Sequence, residues 1–105
     1  MDYKILANCT GFEWDTGNLT KNLDKHFVSR WECEQVFFNR PILMHDDQKH
    51  STKERRIYLL GQTNMQRKLF IVFTIRNKLI RIISARDMNR KEQNSYEQLE
   101  KITTI

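Results

Sequence analysis

Two apolar runs separated by a two-residue reversal constrain this chain more than any other feature. Lys68 to Ile75 (KLFIVFTI) is hydrophobic on both faces, the pattern of a strand in the middle of a sheet. Asn77-Lys78 makes a tight reversal into Leu79 to Ala85 (LIRIISA). With that pair at the hairpin tip, Arg81 lies across from Thr74 and Arg76 across from Leu79. Phe73, Ile75, Ile80 and Ile82 then share a face that helices must cover, and Arg81 falls on the other with Arg76, Val72 and Ile83. Arg56 to Leu60 reads as the preceding strand, ended by Gly61 and the turn-like Gln62-Thr63-Asn64. A five-residue connection over 62–66 aligns Glu54 and Arg56 with that second face. Packing alone does not explain a face that collects Glu54, Arg56, Arg76 and Arg81, although a one-residue slip would reverse the assignment.

The first half has a different period. Phe12-Glu13-Trp14 reads as a short strand, and Asp15 and Thr16 can cap a helix whose stripe is Leu19, Leu23 and Phe27. Ser29, with Glu32 three residues on, forms a capping box for a second helix whose apolar face is Trp31, Val36 and Phe37. Pro41 ends it through the loop Asn39-Arg40-Pro41. Ile42-Leu43-Met44 opens a strand that fades into the polar stretch from His45 to His50. The last segment, Asn89 to Lys101, reads as a polar helix with Tyr96 and Leu99 inward. The expected fold is α+β: a short N-terminal strand, two helices, an antiparallel three- to four-stranded meander and a C-terminal helix, in one domain over 1–105.

Composition narrows the class. With 39% hydrophobic and 30% charged residues among 105, the chain is too apolar to remain disordered. No apolar run nears the ~20 residues of a membrane span, and the N-terminal MDYKILANCTG lacks a signal-peptide layout, so a cytoplasmic protein is expected. Cys9 and Cys33 are then expected as free thiols. Net charge is +5, and the segment from Lys49 to Lys91 is strongly basic, with Glu54 and Asp87 as its carboxylates. Such a field draws in polyanions, although a solvated surface has the same composition.

Phe12-Glu13-Trp14-Asp15, Asn22, Lys25-His26, His50-Ser51, Glu54, Arg56, Gly61, Arg76, the run Arg81-Ile82-Ile83-Ser84-Ala85-Arg86, Glu92 and Tyr96, taken in order, resemble the BrnT toxin family. The chain departs from that family where Asn18 stands in place of a common lysine and Phe27 in place of a common glycine. The second departure bears on how the first helix ends. The resemblance implies a fold like the RelE-type ribonuclease toxins and RNA cleavage that halts translation. It also implies neutralisation by a small BrnA-like antitoxin encoded alongside. The antitoxin would bind operator DNA and join the toxin in a heterotetramer, so operator DNA would be reached only through it.

Metal-free RNA cleavage needs a base for the 2′-hydroxyl proton, an acid for the 5′-oxygen and cations for the charged phosphorane. Arginine suits the last role, because its planar fork matches two phosphate oxygens and stays charged when partly buried. Arg56, Arg81 and Arg86 are the candidates, with Arg76 in reserve. Glu54 or His50 is the candidate base. Lys25, His26 and Tyr96 are candidates for the acid or for holding the scissile phosphate, and Ser84 joins the RNA contacts. Structural alternatives stand beside each: an ion pair between Glu54 and Arg56, a salt bridge from Arg86 to Glu92, a helix-end role for His26 and core packing for Tyr96.

His45-Asp46-Asp47 with His50 is better read as a solvated loop than as a metal site, and Cys9, His26 and Cys33 lack CxxC pairing. Neither metal nor organic cofactor is expected. The rival reading is a non-catalytic nucleic-acid-binding module on the same basic face. It would need exposed aromatic rings for base stacking, and Phe70 and Phe73 read as buried. Glu54 among arginines favours an enzyme.

Overall fold

The computed structural model describes residues 4–103; within that range the side chains of residues 20–24 and 103, Asn22 and Leu23 among them, lie outside the described residues. In chain order come a one-turn helix α1 (Lys4–Ala7), strand β1 (Gly11–Glu13), and helices α2 (Thr16–His26) and α3 (Arg30–Val36). Strand β2 (Leu43–Asp46) and a 3-10 turn at Gln48–His50 lead to β3 (Ile57–Gln62), β4 (Lys68–Arg76), β5 (Leu79–Asp87) and helix α4 (Arg90–Thr103). The class is α+β, as the sequence pattern predicts. The five strands lie in the order β1-β5-β4-β3-β2. β2 to β5 form an antiparallel meander, and β1 pairs in parallel with β5. No helix among the described residues is long and apolar enough to cross a membrane.

The β4–β5 hairpin turns on Asn77 and Lys78, whose φ values of 51° and 65° match the right-handed twist of the flanking strands. Near the tip the pairing is the one predicted, with Thr74 opposite Arg81 and Arg76 opposite Leu79. Farther along, the register shifts between Val72 and Phe73. Phe73 faces Ile82 and Val72 faces Ser84, so Ile83 is an extra residue in β5. The bulge reverses the alternation, placing Ile82 and Ala85 on the core face and Ser84 and Arg86 on the opposite, open face.

Helices α2 and α3 cover one face, where Val28, Cys33, Val36 and Phe37 pack on Ile57, Leu59, Leu69, Ile71, Phe73 and Ile82. Gly61 lies inside β3 rather than ending it, because α3 passes too close for a side chain. A Cβ there would come within 2.5 Å of Val36 Cγ1. Trp31, expected on the inner face of α3, is exposed with the Arg30 guanidinium over its ring, and Cys33 takes the inner place. On the open face α4 covers only one end, burying Leu60, Met88 and Tyr96 against Leu43 and Phe70. Phe70 is therefore half-buried on the open face, not in the main core with Phe73.

Arg67 ties the helical layer to the sheet. Its guanidinium donates to both carboxylate oxygens of Asp87 at the end of β5, at 2.7 and 3.0 Å. It also donates to Glu32, the capping-box residue of α3, and to the carbonyls of His26 and Phe27 at the end of α2. One side chain thus closes the C-terminus of one helix and braces the N-terminus of the next.

Phe27 does not continue the stripe of α2. It follows the helix with a φ of 55° and is 81% exposed. A left-handed residue after a helix favours glycine, because a Cβ there meets the backbone. Phe27→Gly should therefore raise stability by about 0.5–1 kcal/mol, net of glycine's greater unfolded-state entropy, or a few degrees in Tm. Thermal unfolding checks this, and a lower Tm would show that the ring contributes packing.

Candidate active site

Strand alternation along the uncovered part of the open face builds the site. Arg56, next to the start of β3, Thr74 in β4, Arg81 in β5 and Glu13 in β1 follow one another across four strands. A row of ion pairs links this level. The Arg81 fork donates to Glu13 at 2.9 Å and to Asp15 at 2.8 and 3.2 Å. Glu13 also lies 3.8 Å from Arg76, whose Nε and Nη2 each donate to one oxygen of Glu54 at 3.0 Å. Arg81 is accordingly paired with two carboxylates, and Glu54 is held by Arg76 rather than by Arg56. Among the described residues the Arg56 guanidinium has no carboxylate at salt-bridge distance, yet its charge acts on Glu54.

Two carboxylates of this row, Glu54 and Asp15, are held below their ordinary range. The hydrogen bond from Arg76, with the nearby charges of Arg56 and Arg81, holds Glu54 below the usual glutamate range. Arg81 does the same for Asp15. Asp15 has a second task, since its Oδ1 accepts from the amides of Gly17 and Asn18 and so caps α2. Asn18, buried, donates to the carbonyls of Glu13 and Ile82 and so joins β1 to β5.

Arg86 reaches the same face through the bulge. Its guanidinium lies over Phe70, 4.1 Å from the ring centroid, and bonds both oxygens of Glu92 at 2.8 and 3.0 Å. Glu92 also forms a capping box with Asn89 at the start of α4. Burial pushes the Glu92 carboxyl up, but Arg86 and the Asn89 amide outweigh it and hold it low. Ser84 faces Val72 on the open face.

The other candidates stand apart. His50 sits in the exposed 3-10 turn with Nδ1 3.0 Å from Asp47. Tyr96 is fully buried and donates its hydroxyl to the Pro41 carbonyl at 2.6 Å, the packing alternative, and burial pushes the phenol up. Lys25 and His26 end α2 beside Arg67 and Asp87. Six positions along β5 separate that end from Arg81, at most about 20 Å of strand. The thiols of Cys9 and Cys33 are free, and burial pushes Cys33 up to about 12. His45 lies in β2, its ring tilted by 37° against that of Tyr58, rather than in a loop.

Sequence reasoning missed Glu13 and Asp15 as partners of Arg81, because only the parallel pairing of β1 with β5 brings them there. It also missed Arg67, whose guanidinium contacts come from three separate segments.

The family profile described as ribonuclease toxin, BrnT, of type II toxin–antitoxin system matches residues 14–92. The chain belongs to the BrnT family. It is thus a ribonuclease toxin of a type II toxin–antitoxin system, and the matched segment runs from Trp14, just after β1, through the first turn of α4, including every arginine of the open face. No curated protein matches the chain.

Glu32, Glu54, Asp87 and Glu92 all have lowered carboxyl values in the fold. For Glu32 burial acts upward, and the Ser29 amide and Arg67 outweigh it. A lowered folded value means stability that is present above the unfolded value and lost as pH falls through the folded one. Tm should hold steady above about pH 5 and fall steeply below about 4.5. Thermal melts of wild type and Arg67→Met across pH 3 to 8 check this, with a shallower acid limb expected for the variant.

Proposed function

We propose that this chain cuts single-stranded RNA on the open sheet face without a metal: the 2′-hydroxyl attacks the adjacent phosphate as it gives up its proton, and the P–O5′ bond breaks to leave a cyclic phosphate and a 5′-oxygen protonated from solvent. The observation that carries this reading is Arg56, a guanidinium without a carboxylate partner among the described residues, beside the ionised Glu54. A fork left unpaired can take two phosphate oxygens and counter the charge that builds on the phosphorane. Glu54, with each oxygen holding one Arg76 hydrogen bond, retains lone pairs to accept the 2′-hydroxyl proton. Arg81 and Arg76 act as positioning residues, and Arg86 contacts the RNA beyond them. Lys25 and His26 are assigned to RNA or antitoxin contact at the far end of β5, and Tyr96 to packing.

Metal independence is supported by the cationic row, which supplies the charge that a metal would otherwise provide. Among the described residues no three His, Cys, Asp or Glu side chains are grouped to hold an ion. The chain is proposed to act in the cytoplasm, halting translation, and to be neutralised by a BrnA-like, DNA-binding antitoxin in a heterotetramer.

Arg56→Gln should lower the cleavage rate about a hundredfold or more, and Arg56→Lys should recover only part of it, because the charge returns without the fork. Tm should change little in both, since no ion pair among the described residues is broken. Arg81→Ala should instead lower both rate and Tm. Normal cleavage by folded Arg56→Gln would remove Arg56 from the site. His50→Gln separates the bases: unchanged cleavage by the folded variant supports Glu54, whereas a large loss of rate would transfer the role to His50.

Cleavage should persist in EDTA and leave cyclic-phosphate ends, and expression of the chain alone should arrest growth until the neighbouring small reading frame is co-expressed. Activity that returns only with added divalent ion would overturn the metal-free step. Purification of the pair by size and mass tests the heterotetramer.

A further inference from the structure

A file of flat groups crosses the open face next to the arginine row. His45 in β2 and Tyr58 in β3 are cross-strand partners with ring centroids 5.4 Å apart. Tyr58 stacks on Phe70 of β4 at 5.5 Å with an interplanar angle of 27°. The Arg86 guanidinium of β5 closes the file 4.1 Å from the Phe70 ring centroid. Beside it lies a cleft of about 310 Å³ between the sheet and the first turns of α4, lined by His45, Tyr58, Phe70, Asn89, Lys91 and Ser95 among others.

The chemistry of that cleft is mixed in a particular way. Its floor is aromatic, whereas its rim is polar. Asn89 uses its side-chain oxygen on the Glu92 amide, which leaves its NH₂ group as a donor. Ser95 adds a hydroxyl and Lys91 a cation. The volume is at the small end of ligand clefts, about 300 Å³, and suits one flat heterocycle. Arg56 precedes Tyr58 by two residues on the same face, about 7 Å along the strand. A nucleotide whose phosphate meets Arg56 can therefore lay its base in this cleft.

We propose that the His45–Tyr58–Phe70–Arg86 file and the cleft beside it form a nucleobase subsite that selects where the RNA is cut. The inference rests on the reading that this face cleaves RNA. Aromatic contact supplies affinity for any base, and Asn89 and Ser95 discriminate among base edges.

The test uses a fluorescent 2′-O-methyl RNA oligonucleotide, which binds but lacks the nucleophile, together with cleavage maps on unmodified RNA. Tyr58→Ala should weaken binding about tenfold or more and broaden the base preference at cut sites, while Tyr58→Phe should stay close to wild type. An abasic position in the oligonucleotide should weaken binding to wild type and matter little to Tyr58→Ala. His45→Ala and Lys91→Ala, both at exposed positions, carry the same comparison if Tyr58→Ala does not fold. Folded variants that bind and cut with unchanged preference would overturn the subsite and leave the cleavage reading standing. Folded wild type that neither binds nor cuts RNA would overturn the cleavage reading, and the subsite with it.

Discussion

The extra residue Ile83 in β5 sets which side chains share the open face. Arg81 and Arg86 are five positions apart, an odd spacing that a regular strand would split between its two sides. With the bulge, both project from the same surface, while Ile82 and Ala85 both enter the core. The apolar layer under α2 and α3 holds this arrangement in place. Returning β5 to a simple alternation would turn Ala85 outward and direct Arg86 toward buried hydrophobic side chains.

The basic face is also a paired face. Glu13, Asp15 and Glu54 hold two of its arginines in fixed directions, and Glu92 holds a third. Such pairs add little to stability where they are exposed. Their effect is on geometry, since a guanidinium held at both ends of its fork loses little further freedom when a phosphate arrives. Asp15 and Glu92 each also cap a helix, so the same carboxylates that orient arginines fix where α2 and α4 begin. Arg56, unpaired among the described residues, stands out against that background.

Much of this was legible from residue order. The reversal at Asn77-Lys78 predicted the pairing of Thr74 with Arg81, and Ser29 with Glu32 predicted the start of α3. A glycine at position 27, which the family resemblance implies, would suit the left-handed backbone there. Less was legible where two patterns competed. The apolar character of Trp31 points it inward, although Cys33 has the position that faces the sheet. Gly61 read as a strand end because glycine weakens strands, whereas the close approach of Val36 is what requires it. Phe70 reads as a core residue, since a strand apolar on both sides does not reveal that one side is only half covered.

The amino-acid sequence by itself determined the elements, their caps and the tight turn, because periodicity and capping act over a few neighbouring residues. It also carried the family, through the order of charged residues along residues 14–92. Only the tertiary structure decided which carboxylates meet Arg76 and Arg81. The parallel docking of β1 on β5 brings Glu13 and Asp15 to Arg81 across 68 and 66 residues. Long-range pairs of this kind depend on strand order and on the bulge, and both follow from how the two helical layers cover the sheet rather than from any local pattern.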